Sequence, residues 1–211
     1  MVLDTIDSTF VSSVGAYVDR FERGMAEFTA SPRAIAVMNG TAGLHIALKL
    51  ADVSEGDLVV TQPLTFVATC NAIAYCGAEP LFIDVDCHTM GLSAPALESW
   101  LSENALVDEY GDCRTRDGFR RVRACIPMHT FGHPVELDTL IEVCQSWNLV
   151  LIEDAAESLG SYYKGRHTGT LGHVGVLSFN GNKIMTTGGG GMLLTDESTG
   201  KRAKHLTTTA K

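Results

Sequence analysis

The chain has 211 residues, of which 45% are hydrophobic, so it can bury one substantial core and is expected to form a single domain. Its formal net charge of −9 argues against binding to the phosphate backbone of nucleic acids, which requires clustered lysine and arginine. No apolar run approaches the ~20 residues that span a bilayer, and the N-terminus lacks the features of a signal peptide. We therefore expect a cytoplasmic protein without membrane or nucleic-acid partners.

Short apolar runs alternate with segments of helical spacing. In chain order, the predicted strands cover residues 34–38, 58–62, 80–85, 124–128, 149–153, 174–179 and 191–195. The predicted helices cover residues 42–51, 69–76, 94–102 and 137–147. Most of the strands are apolar throughout, as is typical of strands covered on both faces. The alternation predicts an α/β fold with a mostly parallel central sheet flanked by helices.

Two segments depart from this alternation. Residues 104–123 are rich in charge and glycine, and we predict a solvated excursion between a helix and a strand. Residues 203–211 are polar and predict no terminal element. The six cysteines fall at irregular spacings without a C-x-x-C pair, and we predict reduced thiols because a core of this size does not need disulfide bonds.

Lys183 lies in a loop of small residues that runs into four consecutive glycines at 188–191. Most lysines are surface charges, but the flanks of this one are serine, asparagine, glycine and threonine. A lysine amine can form a Schiff base where its surroundings favour the neutral nucleophile. Pyridoxal phosphate uses such a lysine, together with an acidic partner for its pyridinium nitrogen.

Asp154 fits the role of that acidic partner. It follows the apolar run 149–152 and Glu153, and open α/β sheets bind ligands outside the carboxyl ends of their strands. A buried carboxylate beside a cation stays ionised with a lowered pKa, and would keep the ring nitrogen protonated. The alternative is an N-cap of a helix that follows the strand, and the residue alone leaves both interpretations open.

A phosphate group would need a cradle of hydrogen-bond donors. Gly40, Thr41 and Ala42 lie between a predicted strand and a predicted helix, where free N–H groups and the helix dipole favour anions. Ser178 could supply another hydroxyl, and Phe66 could stack on a flat ring. Taken singly, an ordinary turn and a core phenylalanine explain these residues as well.

Other motifs favour other chemistry less strongly. Residues 84–88 combine carboxylates, a thiol and an imidazole, but adjacent residues on a strand point to opposite faces, so we expect no metal site. The S-x-x-K match at 198–201 lacks the companion motifs of acyl-transfer enzymes. The glycine run 188–191 does not open a helix as a dinucleotide-binding G-x-G-x-x-G does.

The motifs that carry a family resemblance occur in one order along nearly the whole chain. They are Gly-Thr-Ala at 40–42, Thr-Phe-Val-Ala-Thr at 65–69, Phe-Ile-Asp-Val-Asp at 82–86, His-Thr-Phe-Gly at 129–132, Glu-Asp-Ala-Ala-Glu-Ser at 153–158, Ser-Phe at 178–179 and Lys-Ile-Met-Thr-Thr-Gly at 183–188. In these motifs the chain resembles the DegT/DnrJ/EryC1/StrS sugar aminotransferases, which are pyridoxal-phosphate enzymes of the aspartate aminotransferase fold. The charged segment before Arg123 and the Gly189 variant resemble the branch that makes amino sugars for legionaminic acid or bacillosamine.

The resemblance implies a role for each candidate residue. Lys183 matches the lysine that forms the imine and shuttles the proton, Asp154 the partner of the pyridine nitrogen, and Phe66 the stacking aromatic. Since Lys183 is present, the dehydratase branch, which has histidine there, is disfavoured. The implied reaction transfers an amino group from an amino acid, expected to be L-glutamate, to a nucleotide-linked keto sugar in a homodimer. The residues that match the phosphate cradle are Gly40, Thr41, Ala42 and Ser178.

Two residues depart from the family pattern. Glu157, a further cofactor-binding candidate, stands where many members have glutamine close to the cofactor's phenolic oxygen, which a carboxylate would repel unless protonated or compensated. Gly189 replaces a glutamate that is common in the loop, and the change should not stop the chemistry.

The resemblance also implies a longer chain. Phe10-Val11-Ser12-Ser13 resembles a motif that an N-terminal segment normally precedes, and the family continues into a smaller C-terminal domain that completes the donor and acceptor pocket. Residues 1–211 are therefore expected to be the large cofactor domain with both ends trimmed. A different class of function stays open, that of a non-catalytic cofactor-binding fragment or dimerisation module.

Overall fold

The structure, a computed structural model, describes residues 1–9, 11–12 and 14–209. Phe10 and Ser13, and with them the motif at 10–13, lie outside this description, as do Ala210 and Lys211. Within the described part of the chain, no helix is long and apolar enough to cross a membrane. All six cysteines are free thiols, and five of them are buried or half-buried.

Seven strands form the central sheet, and two short hairpins lie outside it. The order across the sheet is β1-β11-β10-β7-β6-β2-β3, and only β11 runs against its two neighbours. The strands are β1 Arg33–Val37, β2 Leu58–Thr61, β3 Glu79–Phe82, β4 Ala105–Val107, β5 Cys113–Thr115, β6 Val122–Ile126, β7 Val150–Asp154, β8 Tyr162–Tyr163, β9 Arg166–His167, β10 Val174–Ser178 and β11 Gly191–Thr195.

Helices cover both faces of this sheet, because alternate residues of a strand point to opposite sides. Val59 packs with residues of α3, whereas its neighbour Val60 packs with residues of α5 and α6. Ile152 and Leu151 of β7 divide between the same two clusters. The helices are α1 Val2–Asp7, α2 Ala16–Thr29, α3 Gly40–Leu50, α4 Val67–Tyr75, α5 Ala94–Asn104, α6 Leu137–Ser146 and α7 Glu197–Thr208, with a short 3-10 turn at Thr130–Gly132.

The α/β fold with a mostly parallel sheet is confirmed, and every predicted strand and helix has a counterpart within a few residues. The prediction of no terminal element after residue 203 was wrong, because α7 begins at the N-cap Asp196 and continues to Thr208. That helix buries only Gly200 and Ala203, so it has almost no apolar periodicity to detect. The charged segment 104–123 contains the hairpin of β4 and β5, anchored by an ion pair of 2.7 Å between Arg121 and the buried Asp57.

Candidate active site

A pocket of about 270 Å³ opens where the carboxyl ends of β7 and β10 meet the N-termini of α3 and α4. Parallel strands deliver their following residues to one edge of a sheet, which is where α/β proteins bind ligands. Depressions of about 600 to 640 Å³ lie elsewhere on the surface, but none of the candidate residues lines them. The pocket at the sheet edge brings together seven of the eight residues predicted from the sequence, namely Gly40, Thr41, Phe66, Asp154, Glu157, Ser178 and Lys183.

Lys183 points into this pocket from the loop between β10 and β11. Its side chain is 12% exposed, and Nζ lies 2.9 Å from Oε1 of Glu157 and 5.8 Å from the centre of the Phe66 ring. The loop is held by Phe179, which is fully buried and whose carbonyl accepts hydrogen bonds from Thr186. A flexible lysine stem is therefore fixed at its base by the core and at its tip by a carboxylate.

Asp154 ends β7 and is 3% exposed. Its Oδ2 accepts a hydrogen bond of 2.7 Å from the Thr69 hydroxyl, and its Oδ1 accepts one of 3.3 Å from the N–H of Ala156. Turns follow the strand where a helix would have to begin, so the helix N-cap interpretation was wrong. The carboxylate instead serves the pocket that it lines.

The electrostatics of Asp154 depend on what shares the pocket with it. Burial raises the pKa of its carboxyl above the ordinary value, and the hydrogen bonds from Thr69 and Ala156 only partly oppose this effect. The expectation of a lowered pKa presupposed a cation beside the carboxylate, and in the pocket as it stands desolvation is the larger effect. A cation bound directly beside this carboxylate would lower its pKa again.

Phe66 occupies the N-cap position of α4 and is 63% exposed, so it is not a core phenylalanine. Because its ring lies over the mouth of the pocket and faces the Lys183 amine, a flat ligand can stack against it. The loop before it is pinned by the buried Gln62, whose amide group donates to the carbonyl of Leu64 and whose oxygen accepts from the N–H of Met128.

The residues predicted to cradle a phosphate, Gly40 to Ala42, form the first turn of α3. A methyl group on Gly40 would lie 3.0 Å from Cβ of Ser178, so only glycine allows the helix end to approach β10 this closely. The N–H groups of Gly40 and Thr41 belong to the first turn of the helix. N–H groups in a first turn have no intrahelical acceptor, so they favour the binding of anions. Ala42 does not line the pocket. Its N–H donates a hydrogen bond of 2.8 Å to the side chain of Asn39, which caps the helix.

The backbone at Gly189 has room for the glutamate that is common at this position in the family. Gly189 has an ordinary φ, and a Cβ on it would meet only the carbonyl of Met38, at 4.0 Å. Gly190 differs, because its φ is +100° and its Cβ would lie 2.7 Å from the hydroxyl of Thr187. Two adjacent glycines thus have opposite tolerance for a side chain.

We expect the free energy of unfolding of the Gly189→Glu variant to lie within about 0.5 kcal/mol of that of the unsubstituted protein. Gly190→Glu makes the same charge change one residue later and should destabilise by about 1–3 kcal/mol, because the left-handed backbone is strained for glutamate. Urea unfolding followed by circular dichroism measures both variants. Equal losses of stability at the two positions would contradict this account of the loop.

Sequence reasoning missed a buried network directly behind the pocket. Glu153 is fully buried and accepts hydrogen bonds from Nε2 of His129 at 3.0 Å and from three N–H groups of the loop after β9. The N–H of Val135 donates to Nδ1 of His129, so Nε2 carries the proton given to Glu153. His129 is a fully buried core histidine and does not line the pocket. A glutamate ending an apolar strand was the available signal.

The Glu153 network makes stability depend on pH. Burial raises the pKa of Glu153, but the hydrogen bonds from His129 and the backbone lower it more, so the pKa falls below the ordinary value of 4.5. A carboxyl whose pKa is lowered by folding stabilises the fold above the unfolded-state value, and this contribution is lost as the pH falls through the folded-state value. The loss therefore lies below pH 4.5.

Glu153→Gln is expected to lower the free energy of unfolding by about 2–3 kcal/mol at neutral pH, because an amide cannot accept from all of these donors. The variant should also lose less stability on acidification than the unsubstituted protein does. Glu98→Gln is a matched control, since Glu98 is half-buried and accepts one hydrogen bond each from the side chains of Trp147 and Ser102. Urea titrations at pH 7 and pH 4 measure all three proteins, and an unchanged pH dependence in Glu153→Gln would refute the assignment.

Residues 84–88 do not converge on a metal site. Oδ1 of Asp86 accepts hydrogen bonds from the N–H groups of His88 and Thr89, which makes the segment a side-chain-capped turn. Across the described residues, no group of three or more histidine, cysteine or acidic side chains is placed to hold a metal ion.

Comparison with known proteins places this geometry in a family. The profile of the DegT/DnrJ/EryC1/StrS aminotransferase family matches residues 1–209. The GDP-perosamine synthase of Caulobacter vibrioides is 38% identical over 93% of the chain and 48% of its own length. A DegT DnrJ EryC1 StrS aminotransferase from Brucella abortus superposes with a TM-score of 0.87 at 27% identity, over 97% of this chain and 52% of its own. DesV of S. venezuelae, crystallised in complex with a ketimine intermediate, superposes with a TM-score of 0.81 at 27% identity, over 94% of this chain and 49% of its own.

The chain therefore belongs to the DegT/DnrJ/EryC1/StrS aminotransferase family, a family that depends on pyridoxal phosphate. It spans about half the length of the curated relatives that it matches. The resemblance predicted from the sequence motifs is confirmed at the level of the family. The legionaminic acid or bacillosamine branch stays a prediction.

Proposed function

We propose that this member of the DegT/DnrJ/EryC1/StrS family binds pyridoxal phosphate in the pocket at the sheet edge and transfers an amino group from an amino acid to a nucleotide-linked keto sugar. The observation that carries the proposal is the convergence of Lys183 and Asp154, 29 residues apart in sequence, with Phe66 and the first turn of α3 around one pocket. An amine, a buried carboxylate, a stacking ring and an anion cradle are the groups that this cofactor needs.

Each residue has a chemical task in the proposal. The cofactor, when bound, supplies an aldehyde that condenses with amines and a ring that withdraws electrons. Lys183 presents the amine and later moves the proton between substrate atoms, and Asp154 holds a proton on the ring nitrogen. Phe66 covers one face of the ring. The N–H groups of the first turn of α3 and the hydroxyl of Ser178 hold the phosphate.

Glu157 is proposed to hold the Lys183 amine in place before the cofactor arrives. The two side chains are 2.9 Å apart, and the carboxylate accepts a hydrogen bond from the ammonium group. The positive charge of Lys183 also offsets the repulsion between the Glu157 carboxylate and the cofactor's phenolic oxygen while the lysine nitrogen stays beside Glu157.

The substrates are proposed from the family. We propose L-glutamate as the amino donor and a nucleotide-linked keto sugar as the acceptor, within amino-sugar biosynthesis in the cytoplasm. The similarity to GDP-perosamine synthases supports a sugar nucleotide as the acceptor class. The legionaminic acid or bacillosamine branch is one choice within that class.

A homodimer is part of the same proposal. Large apolar side chains are exposed on the segments that carry or flank the pocket residues, and exposed apolar surface is typical of protein–protein contacts. The exposed side chains are Met38, Phe66, Val67, Phe131 and Ile184.

The second candidate function is a non-catalytic fragment that binds the cofactor or dimerises without turnover. The two candidates share the cofactor pocket and differ only in whether an amino group leaves it.

Titration with pyridoxal phosphate, followed by absorbance, tests the proposal. We expect a new visible band, which L-glutamate should bleach. Borohydride should also remove the band, because it reduces the imine and leaves the cofactor covalently attached to Lys183. A band that no amino acid bleaches would support the non-catalytic fragment. Absence of any band in a folded sample would refute cofactor binding. If a band forms and L-glutamate bleaches it, a panel of nucleotide keto sugars identifies the acceptor.

A further inference from the structure

Two threonine hydroxyls stand behind the Asp154 carboxylate. Oγ1 of Thr69 lies 2.7 Å from Oδ2 of Asp154, and Oγ1 of Thr65 lies 2.7 Å from Oγ1 of Thr69. Thr69 is fully buried in the first turn of α4, and Thr65 lies in the loop just before that helix, next to Phe66. Neither threonine lines the pocket itself.

The chemistry of these groups fixes the direction of both hydrogen bonds. A carboxylate can only accept, so the single proton of the Thr69 hydroxyl points to Asp154. The oxygen of Thr69 is then the acceptor for the proton of Thr65. Within the pocket, this leaves Oδ1 as the carboxylate oxygen with only the longer bond, 3.3 Å from the N–H of Ala156.

We propose that Thr65 and Thr69 form a directed relay that orients the Asp154 carboxylate and holds it as an anion, which makes Thr69 a positioning residue for the cofactor's ring nitrogen. The inference rests on the proposed function, because a positively charged ring is what the anion would meet. A hydrogen bond donated to the charged form of an acid stabilises that form, and the effect is large where water is excluded. Burial raises the pKa of Asp154, so the Thr69 hydroxyl acts against a penalty that this carboxyl meets whether or not a ligand is present.

The relay also joins two parts of the site. Thr65 precedes Phe66 in the chain, and its hydroxyl also donates to the sulfur of Met128 at 3.3 Å, so its one proton is shared between Thr69 and Met128. The loop that carries the stacking ring is therefore connected to the carboxylate through hydroxyl groups. This connection keeps the ring face and the ring-nitrogen partner in register.

Three variants test the relay. Thr69→Val removes the hydroxyl and keeps the shape, and Thr69→Ser keeps the hydroxyl. Thr61→Val is the matched control, because Thr61 is also fully buried and its hydroxyl donates to the carbonyl of Ile126 at 2.9 Å, away from Asp154. Urea unfolding first establishes that each variant is folded.

The first measurement follows the Asp154 carboxyl by carbon NMR in the cofactor-free protein. We expect its titration to move to higher pH in Thr69→Val, to return in Thr69→Ser and to stay in place in Thr61→Val. An unmoved titration in Thr69→Val overturns the relay. Should Thr69→Val fail to fold, Thr65→Val takes its place with a smaller shift in the same direction, and no shift there is equally decisive.

The second measurement compares affinities for pyridoxal phosphate and for an analogue in which carbon replaces the ring nitrogen. Thr69→Val should weaken binding of the cofactor roughly tenfold, as expected for a hydrogen bond to a charged group, and leave binding of the analogue almost unchanged. Equal losses for both ligands would mean a merely structural role and overturn the inference. If the unsubstituted protein binds neither ligand, the proposed function fails, while the carboxyl titration still decides the relay.

Discussion

Replacement of Lys183 by alanine is expected to abolish the visible absorption band of the cofactor-loaded protein and to reduce any amino-group transfer at least 1,000-fold, since one group supplies both the covalent link and the proton transfer. The protein should still hold pyridoxal phosphate, because Asp154, Phe66 and the first turn of α3 remain. Absorbance, borohydride trapping and equilibrium dialysis separate these effects.

Lys204→Ala is the matched control for Lys183→Ala. Lys204 is also half-buried and pairs at 2.7 Å with Glu22, and neither residue lines the pocket. The control should keep the absorption band and lose only the modest stability of a partly exposed ion pair. A band that persists in Lys183→Ala, or disappears in Lys204→Ala, would show that Lys183 is not the covalent site.

Replacement of Asp154 by asparagine is expected to lower amino-group transfer roughly 100–1,000-fold, the range found when one group aimed at developing charge is removed. An amide has nearly the same shape but cannot hold a positive charge on the ring nitrogen. The visible band should still form, because Lys183 is untouched, and its shape should change as the ring loses its proton.

The same variant makes a second prediction about stability. Since burial raises the pKa of Asp154 and disfavours its charge, the neutral asparagine should be tolerated by the cofactor-free fold. Thermal unfolding should therefore show little loss without cofactor and a smaller stabilisation on adding pyridoxal phosphate. Full stabilisation by the cofactor in Asp154→Asn would contradict its role as the partner of the ring nitrogen.

The sheet was predictable because its strands carry their signal locally. The run 149–152 is wholly apolar and 174–179 carries only one polar residue, Ser178, and such runs are typical of strands buried on both faces. The helices α2 and α7 were not predicted, because each buries only a few residues against the edge of the sheet beside β1. α2 directly precedes its partner β1, but two of the three residues that it buries, Glu22 and Thr29, are polar. α7 packs on β1 and α3, which are distant in sequence.

The candidate site was predictable in its residues but not in its support. Lys183 and Asp154 follow apolar strands that end at the same edge, so the sequence alone brings them together. Thr69 and His129 were out of reach, because a hydroxyl on a helix and an imidazole after a strand become informative only when their partners are known. Ala42 shows the converse, since its motif position is right and its N–H is already occupied.

The loop that carries Lys183 leaves the sheet at Ser178 and returns at Gly191, and these two residues pair directly across β10 and β11. Both ends of the loop are therefore clamped by one antiparallel ladder, and closing it again after a change of length requires little extra entropy. A segment of different length or sequence that keeps the buried Phe179 can be exchanged between these two points without disturbing the core. Changes in the sequence or length of this loop can therefore alter the surroundings of Lys183 while the sheet beneath it stays the same.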